Sequence, residues 1–292
     1  MRHIDSIINR GNILIARWFV IVCLNFFCLT LAHAQSMAPL KLGIMPFNSA
    51  LALTKTHQPL RQHLQNSLGR PVDIFTSTDY FTFLNEMMDG RFDLVIAGPH
   101  FGSMAMDRGW VPLFRYKAML QPVFVVRPDA GINTLDDLRG KRIGLSSRLS
   151  ISSIGGVKWL QDHGLQLDKD YHLFERSTHG AAVAGVAVGE FDAALTTYTP
   201  LKQIPEDVRA KVIVLPLDIS VPHLMTLVHP RLGKKEIQQI KLALLSFSAP
   251  SGPGADFFMD TGYLGYEEVT AADVRALKPY VDLTLRMIGK SR

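Results

Sequence analysis

Residues 146–153 form the segment of this chain whose side chains are best suited to bind a ligand. The segment contains five serines in eight residues and lies between a short apolar run and a helical pattern. Serine hydroxyls donate hydrogen bonds, and a helix start presents unpaired N–H groups with about half a positive charge. Gly155 and Gly156 would let the backbone approach a ligand closely. These residues predict an anion-binding loop, although an ordinary polar loop with one serine as N-cap has a similar composition.

His179 is the second candidate, and it lies at the next junction between a strand and a helix. It follows Ser177 and Thr178, which are two further hydroxyl side chains. An imidazole can donate a hydrogen bond to a phosphoryl or carboxyl oxygen, and a bound anion would raise its pKa. The alternative is a surface histidine beside a helix cap. Thr178 and His179 are therefore predicted to belong to the same oxyanion site.

Four aromatic or histidine side chains near other strand ends are candidates for the wall of a pocket. They are Tyr80, His100, Phe101 and Tyr198. Core packing is the commoner role of such residues, and of phenylalanine in particular. The functional hypothesis is that all four side chains line a ligand pocket.

Motifs for catalysis and for cofactors are missing from the sequence. It contains no G-x-S-x-G, no G-x-G-x-x-G and no G-x-x-x-x-G-K-[ST] segment, and no two histidines have the H-x-x-x-H spacing. A hydrolase that uses a serine, His179 and an acid such as Asp192 is the enzymatic alternative. Both cysteines, Cys23 and Cys28, lie near the N-terminus. The sequence therefore predicts a protein that is not an enzyme and uses no metal or other cofactor.

The elements that must position these residues alternate between strand and helix patterns, which is typical of α/β domains. Four apolar strand patterns each lead into a turn of small or polar residues and then into a helix start. The strand patterns are residues 40–45, 92–97, 141–145 and 172–175, and the turns are 48–49, 98–100, 146–153 and 177–180. Helix starts that meet at one crevice would form an anion receptor.

Two crossings that contain proline divide the chain into two predicted lobes. The crossings lie in residues 111–127 and 212–228. The first lobe is predicted to contain residues 39–117 and 219–292, and the second lobe residues 118–218. Because the chain leaves the first lobe and returns to it, the two crossings would form a hinge.

Residues 1–34 have the pattern of a signal peptide. Three arginines flank or precede the apolar run of residues 18–31, and Ala32-His33-Ala34 has the A-x-A pattern of a cleavage site. The apolar run is shorter than the roughly 20 residues of a spanning helix, which favours cleavage over retention as an anchor. The protein is therefore predicted to be exported to the periplasm.

The charges of the remaining chain exclude one class of partner. Residues 35–292 carry 28 basic and 25 acidic side chains, and these charges are interspersed. No basic stripe with interleaved aromatic residues is present, so nucleic-acid binding is not predicted. Contact with a membrane is expected only through a partner protein.

Several motifs, taken in order, resemble those of the phosphonate-, phosphite- and phosphate-type substrate-binding proteins of ABC transporters. The matching segments are residues 42–46, 90–99, 135–144, 177–183 and 189–194. The third resembles the family's L-x-D-L-K-G-K segment, and the last two resemble its G-S-H-x-x-x-V and G-x-x-D-A segments. The resemblance implies a type 2 periplasmic binding-protein fold. In that fold two lobes, each a mixed sheet flanked by helices, close over a ligand in the cleft between them.

The resemblance also implies roles for the serine-rich segment and the histidine. Ser150 and Ser152 would hold the head group of the anion. Ser147 and Ser153 remain alternatives, because the match there is loose by one or two positions. His179 matches the family's oxyanion-binding histidine.

Tyr80 and the pair His100 and Phe101 match the wall that the first lobe contributes. Family members that bind aminoalkyl phosphonates tend to place acidic residues near the amine. The corresponding segments here, residues 196–198 and 219–223, contain no acidic residue, and Asp218 is the nearest one. This departure indicates a head group without an amine, such as a phosphonate, phosphite, phosphate or another oxyanion.

The predicted function is that a monomer captures a small anionic solute and delivers it to the permease of an ABC transporter. Two alternatives remain open at this point. The same fold could serve as the ligand-sensing partner of a sensor kinase, or the anion could contain no phosphorus.

Overall fold

A computed structural model describes residues 38–290. The predicted signal segment, residues 1–34, lies outside the described residues. From Pro39 onwards the chain forms one compact unit. None of the helices in the described range has both the length and the apolar character needed to cross a bilayer.

The strands and helices alternate as the sequence predicts. The strands are β1 (Leu40–Ile44), β2 (Val72–Phe75), β3 (Leu94–Ala97), β4 (Val111–Tyr116), β5 (Met119–Leu120), β6 (Pro122–Val126), β7 (Lys141–Leu145), β8 (Tyr171–Glu175), β9 (Ala193–Thr197), β10 (Ile213–Pro216), β11 (Val221–Pro222), β12 (Met225–Val228) and β13 (Tyr266–Glu267). The α-helices are α1 (Ala50–Leu68), α2 (Tyr80–Met88), α3 (Pro99–Met106), α4 (Ile151–Asp162), α5 (His179–Ala187), α6 (Tyr198–Lys202), α7 (Glu206–Arg209), α8 (Gly233–Phe247), α9 (Ala255–Thr261) and α10 (Ala271–Lys290). Short 3-10 turns lie at Asp136–Leu138 and Pro230–Leu232.

Eleven of the described strands form two mixed sheets. The first sheet has six strands in the order β13-β4-β12-β3-β1-β2, and the second has five in the order β10-β6-β9-β7-β8. Strands β1, β2 and β3 are parallel, whereas β12 pairs antiparallel with both β3 and β4. In the second sheet β7 is parallel to β8 and β9, and β6 and β10 add antiparallel pairs. The prediction of an α/β fold with mixed sheets flanked by helices is confirmed.

The central strands β6 and β9 of the second sheet are buried on both faces, and the period of a strand explains why. Phe124 and Val126 pack on one face with Leu160 of α4. Val123 and Val125 pack on the other face with α5. Alternate residues of a strand point to opposite faces, so a continuous apolar run can bury both.

Gly155 and Gly156 lie inside α4, and neither lines the cavity described below. A Cβ at Gly156 would overlap the Leu195 side chain of β9, and one at Gly155 would lie 3.4 Å from the Tyr280 ring of α10. The expectation that these glycines admit a ligand is therefore wrong. They let α4 pack closely on the second sheet and on the C-terminal helix.

The chain changes sheet between β4 and β6 and changes back between β10 and β12. The two connecting segments pair with each other, because β5 and β11 form a short antiparallel ribbon. These changes lie within the two crossings that the sequence indicates. The lobe bounds and the hinge remain predictions.

Candidate functional site

A small cavity lies where several helices begin, among residues that follow strands of both sheets. Its volume is about 30 Å³, which is enough for roughly two water molecules. The lining residues are Met45, Phe47, Tyr80, Leu120, Ser150, Ile151, Ser152, His179, Thr197, Thr199, Pro200, His223, Leu224 and Tyr263. They come from the segment after β1, from β5, from the starts of α2, α4, α5 and α6, from the β11–β12 segment and from the turn after α9.

The start of α4 supplies both hydroxyl and backbone donors. Ser150 is the N-cap, with extended backbone angles, but its side chain makes no capping hydrogen bond. Its Oγ lies instead 2.5 Å from the Oγ of Ser152, and both side chains are buried. The N–H groups of Ile151, Ser152 and Ser153 are the first three of the helix, so they have no partner within it.

His179 is the first residue of α5, and it is buried. Its Nε2 lies 3.2 Å from the Oγ of Ser146, which in turn lies 3.5 Å from the hydroxyl of Tyr80. Its Nδ1 is buried and has no hydrogen-bond partner among the described residues. Burial lowers the pKa of His179 to about 4. The ring is therefore neutral at physiological pH and retains one unused nitrogen.

His223 and Thr199 form a second polar pair on the cavity wall. The backbone N–H of Leu224 donates to Nδ1 of His223 over 2.8 Å. In the neutral ring the proton therefore lies on Nε2, which is 3.3 Å from the Oγ1 of Thr199. Burial, together with the charge of Arg115, lowers the pKa of His223 to about 3. If His223 donates to Thr199, the threonine hydroxyl proton is free to point at a ligand.

No ionised side chain lines the cavity among the described residues. The lining set contains no aspartate, glutamate, lysine or arginine. Burial raises the pKa of Tyr80 and of Tyr263, so both phenols stay protonated. Arg115, the cation that acts on His223, is paired with Glu267 at 2.8 Å and Asp273 at 3.2 Å. The cavity is therefore polar through dipoles rather than through charges.

Four of the residues predicted from the sequence lie together on this cavity: Tyr80, Ser150, Ser152 and His179. Ser147 and Ser153 line a larger groove beside α4 and α10 instead. The Oγ of Ser147 accepts a hydrogen bond from the N–H of Leu149. The Oγ of Ser153 is buried without a partner among the described residues.

The other predicted residues take different positions. Thr178 caps α5, and its Oγ1 accepts from the N–H of Ala181. Phe101 is fully buried in the core, with its ring centre 6.5 Å from that of Tyr80. Tyr198 leaves 42% of its surface exposed and does not line the cavity.

His100 connects the two halves of the fold beside the cavity rather than lining it. It is fully buried on α3, and its Nε2 donates to the carbonyl of Leu149 over 2.9 Å. Leu149 directly precedes the N-cap of α4. A second connection joins Nδ2 of Asn48 to Oε1 of Gln203 over 3.3 Å. Both contacts join a residue that follows a strand of the first sheet to one that follows a strand of the second.

Sequence reasoning named Tyr198 at the β9–α6 junction but missed its neighbours Thr197 and Thr199, and it missed the histidine of the second crossing. Thr197 ends the buried strand β9 and Thr199 lies in the first turn of α6, so the same junction pattern could have found them. His223 carried no comparable signal, because only the folding of the β11–β12 segment brings it to the cavity.

Comparison with known proteins decides the family. Residues 42–274 match the family described as periplasmic substrate-binding proteins of phosphonate ABC transporters. The chain belongs to this family. Its members are substrate-binding components of transporters, which confirms the resemblance and the predicted functional class.

Solved structures share the two-lobed fold at low sequence identity. PhnD1 from Prochlorococcus marinus, in complex with methylphosphonate, is 16% identical with a TM-score of 0.75, covering 84% of this chain and 97% of that one. A binding-protein component of an ABC phosphonate transporter from Pseudomonas aeruginosa is 15% identical with a TM-score of 0.68, covering 87% of this chain and 99% of that one. The periplasmic aliphatic sulphonate binding protein SsuA from Escherichia coli is 19% identical with a TM-score of 0.60, covering 86% of this chain and 93% of that one.

Proposed function

We propose that this protein binds a small oxyanion in the cavity of about 30 Å³ and passes it, in the periplasm, to the permease of an ABC transporter. The observation that carries this proposal is the convergence of the α4 start, six hydroxyl side chains and His179 on one cavity. The methylphosphonate of PhnD1 and the sulphonates of SsuA indicate the class of ligand, a tetrahedral oxyanion with a carbon substituent.

The donors are sufficient for useful affinity. A hydrogen bond to a charged group contributes about 1.5–3 kcal/mol. Four such bonds, from the α4 amides and the serine and threonine hydroxyls, would supply about 6–12 kcal/mol, and micromolar binding corresponds to about 8 kcal/mol. An anion that contacts elements of both sheets favours the arrangement in which the two halves are closed.

A hydrolase is less well supported than a binding protein. Ser146 and His179 do form a serine–histidine pair, but no carboxylate holds Nδ1 of His179 within the described range. Asp192, an acid that the sequence offers for such a triad, accepts hydrogen bonds from Arg142 instead. A histidine with a pKa near 4 is also a weak base at neutral pH.

Thermal shift and calorimetry of the protein purified after export test the proposal. The probes are phosphate, phosphite, methylphosphonate and methanesulfonate. A ligand present at 100 times its dissociation constant adds about 2.7 kcal/mol of stability, which should raise the melting temperature by about 5–10 °C. If none of the four anions raises the melting temperature or releases heat on titration, the proposed function is wrong.

Variants test which residues hold the anion. Ser150→Ala, Ser152→Ala and His179→Ala should each weaken binding by about tenfold or more, because each removes a buried group that faces the cavity. Ser248→Ala is a matched control, since Ser248 lies at the end of α8 and donates only to the carbonyl of Leu245. Unchanged affinity in all three cavity variants would overturn the assignment of the site while leaving the family intact.

A further inference from the structure

We infer that the cavity selects its ligand by charge state: it takes a compact tetrahedral oxyanion in its singly charged form and rejects the doubly charged form. This inference rests on the proposed function and goes beyond it, because phosphonates, phosphites and phosphates all exist in both forms near neutral pH. A sulfonate carries a single charge throughout that range.

The first argument is the absence of any countercharge on the wall. None of the lining residues within the described range is ionised, and Arg115 behind His223 is already neutralised by Glu267 and Asp273. The hydration free energy that an ion loses on burial rises with the square of its charge, so a dianion loses about four times as much as a monoanion. Neutral donors gain less than that when the charge doubles, because their number and dipoles are fixed.

The second argument is that the wall itself does not titrate over the useful range of pH. The titratable groups that face the cavity are His179, His223, Tyr80 and Tyr263. Burial lowers the pKa of the two histidines to about 4 and about 3, and it raises the pKa of both tyrosines. Between pH 5.5 and 9, therefore, the ligand changes its charge and the cavity keeps its own.

The third argument concerns shape. Apolar side chains, Met45, Phe47, Leu120 and Leu224, complete the lining of a space of only about 30 Å³. They offer contact to a hydrogen or methyl substituent but have no polar group for a second charged centre. The favoured ligand is thus a small, singly charged head group with a minimal substituent.

The test compares two ligands of the same shape that differ in their titration. Methylphosphonate loses its second proton near neutral pH, as phosphate monoesters do at about 6, whereas methanesulfonate stays singly charged. Calorimetric titration of the exported protein from pH 5.5 to 9 should show the Kd of methylphosphonate rising roughly tenfold for each pH unit above its second pKa. The Kd of methanesulfonate, if it binds, should stay constant within about twofold over the same range.

Each other outcome has a distinct meaning. A methylphosphonate Kd that is constant or falls with pH would show that the dianion binds, and it would overturn the inference without touching the proposed function. A parallel loss of affinity for both ligands as the pH rises would show that a group of the protein titrates, and this result would also overturn the inference. If only methylphosphonate binds, with the expected profile, the inference holds and the acidic P–OH group is part of recognition. If only methanesulfonate binds, even at pH 5.5 where methylphosphonate is singly charged, the cavity does not select by charge state and the inference is overturned. Failure of these two ligands and of phosphite and phosphate to bind would overturn the proposed function itself.

One variant separates the ligand from the histidine as the titrating group. His179→Gln should weaken binding but leave the shape of the methylphosphonate pH profile unchanged, because the ligand carries the titration. His172→Gln is the matched control, since His172 lies exposed on β8 and faces Asp168 rather than the cavity. Loss of the pH dependence in His179→Gln alone would contradict the inference.

Propylphosphonate should bind at least tenfold more weakly than methylphosphonate, and equal affinity would contradict the argument from shape.

Discussion

Replacing His100 with leucine should weaken ligand binding more than it weakens folding. The Nε2 of His100 donates to the carbonyl of Leu149 over 2.9 Å, and this bond joins α3 to the loop that begins α4. The donor follows a strand of the first sheet and the acceptor follows a strand of the second, so under the proposed hinge motion the bond is made only in the closed arrangement. The proposed function requires the same closure around the anion.

The expected size follows from the chemistry of this bond. It joins a neutral donor to a neutral acceptor, so its net contribution is about 0.5–1.5 kcal/mol, and the unpaired carbonyl adds a desolvation cost. A total of about 1–2 kcal/mol corresponds to a Kd that is about 5- to 30-fold higher. Calorimetric titration with the best-binding anion of the screen measures this change.

His63 offers a matched control within one half of the fold. Its Nε2 lies 2.9 Å from the carbonyl of Ala243, and this bond joins α1 to α8, which both flank the first sheet. His63→Leu should therefore lower the free energy of unfolding by a similar amount and leave the Kd within about twofold. If His100→Leu lowers the melting temperature as much as His63→Leu does and leaves affinity unchanged, the reasoning about closure is refuted.

Two further predictions concern stability. Burial lowers the pKa of four histidines to about 3 or 4, so the unfolded chain binds more protons than the folded chain below pH 6.5. These histidines are His57, His100, His179 and His223. The free energy of unfolding should therefore be greatest above about pH 6.5 and fall as the pH drops towards 4. Urea titrations at several pH values measure this free energy, and a value that stays constant between pH 6.5 and 4.5 would refute the prediction. Gly156→Ala should lower the free energy of unfolding by about 1–3 kcal/mol, because the new methyl group would overlap Leu195. Gly289→Ala is the control in thermal unfolding, because a Cβ at Gly289 meets no neighbouring atom within 4 Å. Equal melting temperatures for the two variants would contradict the packing argument.

Most elements of the fold were predictable because their signals are local. The run of residues 94–97 is apolar at every position and forms β3 at the centre of the first sheet. The α1 helix begins after Ser49, whose hydroxyl accepts from the N–H of Ala52, and it ends at Gly69, which has a left-handed conformation. Caps and periodicity of this kind act within a few residues, so the sequence reveals them directly.

The candidate site was predictable only where its residues share those local signals. Ser150, Ser152 and His179 stand at junctions between strand and helix, and such junctions predict anion binding by themselves. Phe101 and Tyr198 stand at similar junctions, yet the first is fully buried and the second is 42% exposed. The direction of a side chain from a junction depends on the packing of the whole helix, which local sequence does not specify.

The order of residue types along the chain therefore determined the fold class, the alternation of elements and the family. Only the tertiary structure decided that His223 and Thr199 meet at the cavity, that Gly156 serves packing against Leu195, and that His100 bridges to Leu149. The physical reason is the separation along the chain between the residues that interact. Caps, turns and periodicity come from neighbours in the chain, whereas these contacts join residues that only the pairing of strands and the crossing between sheets bring together.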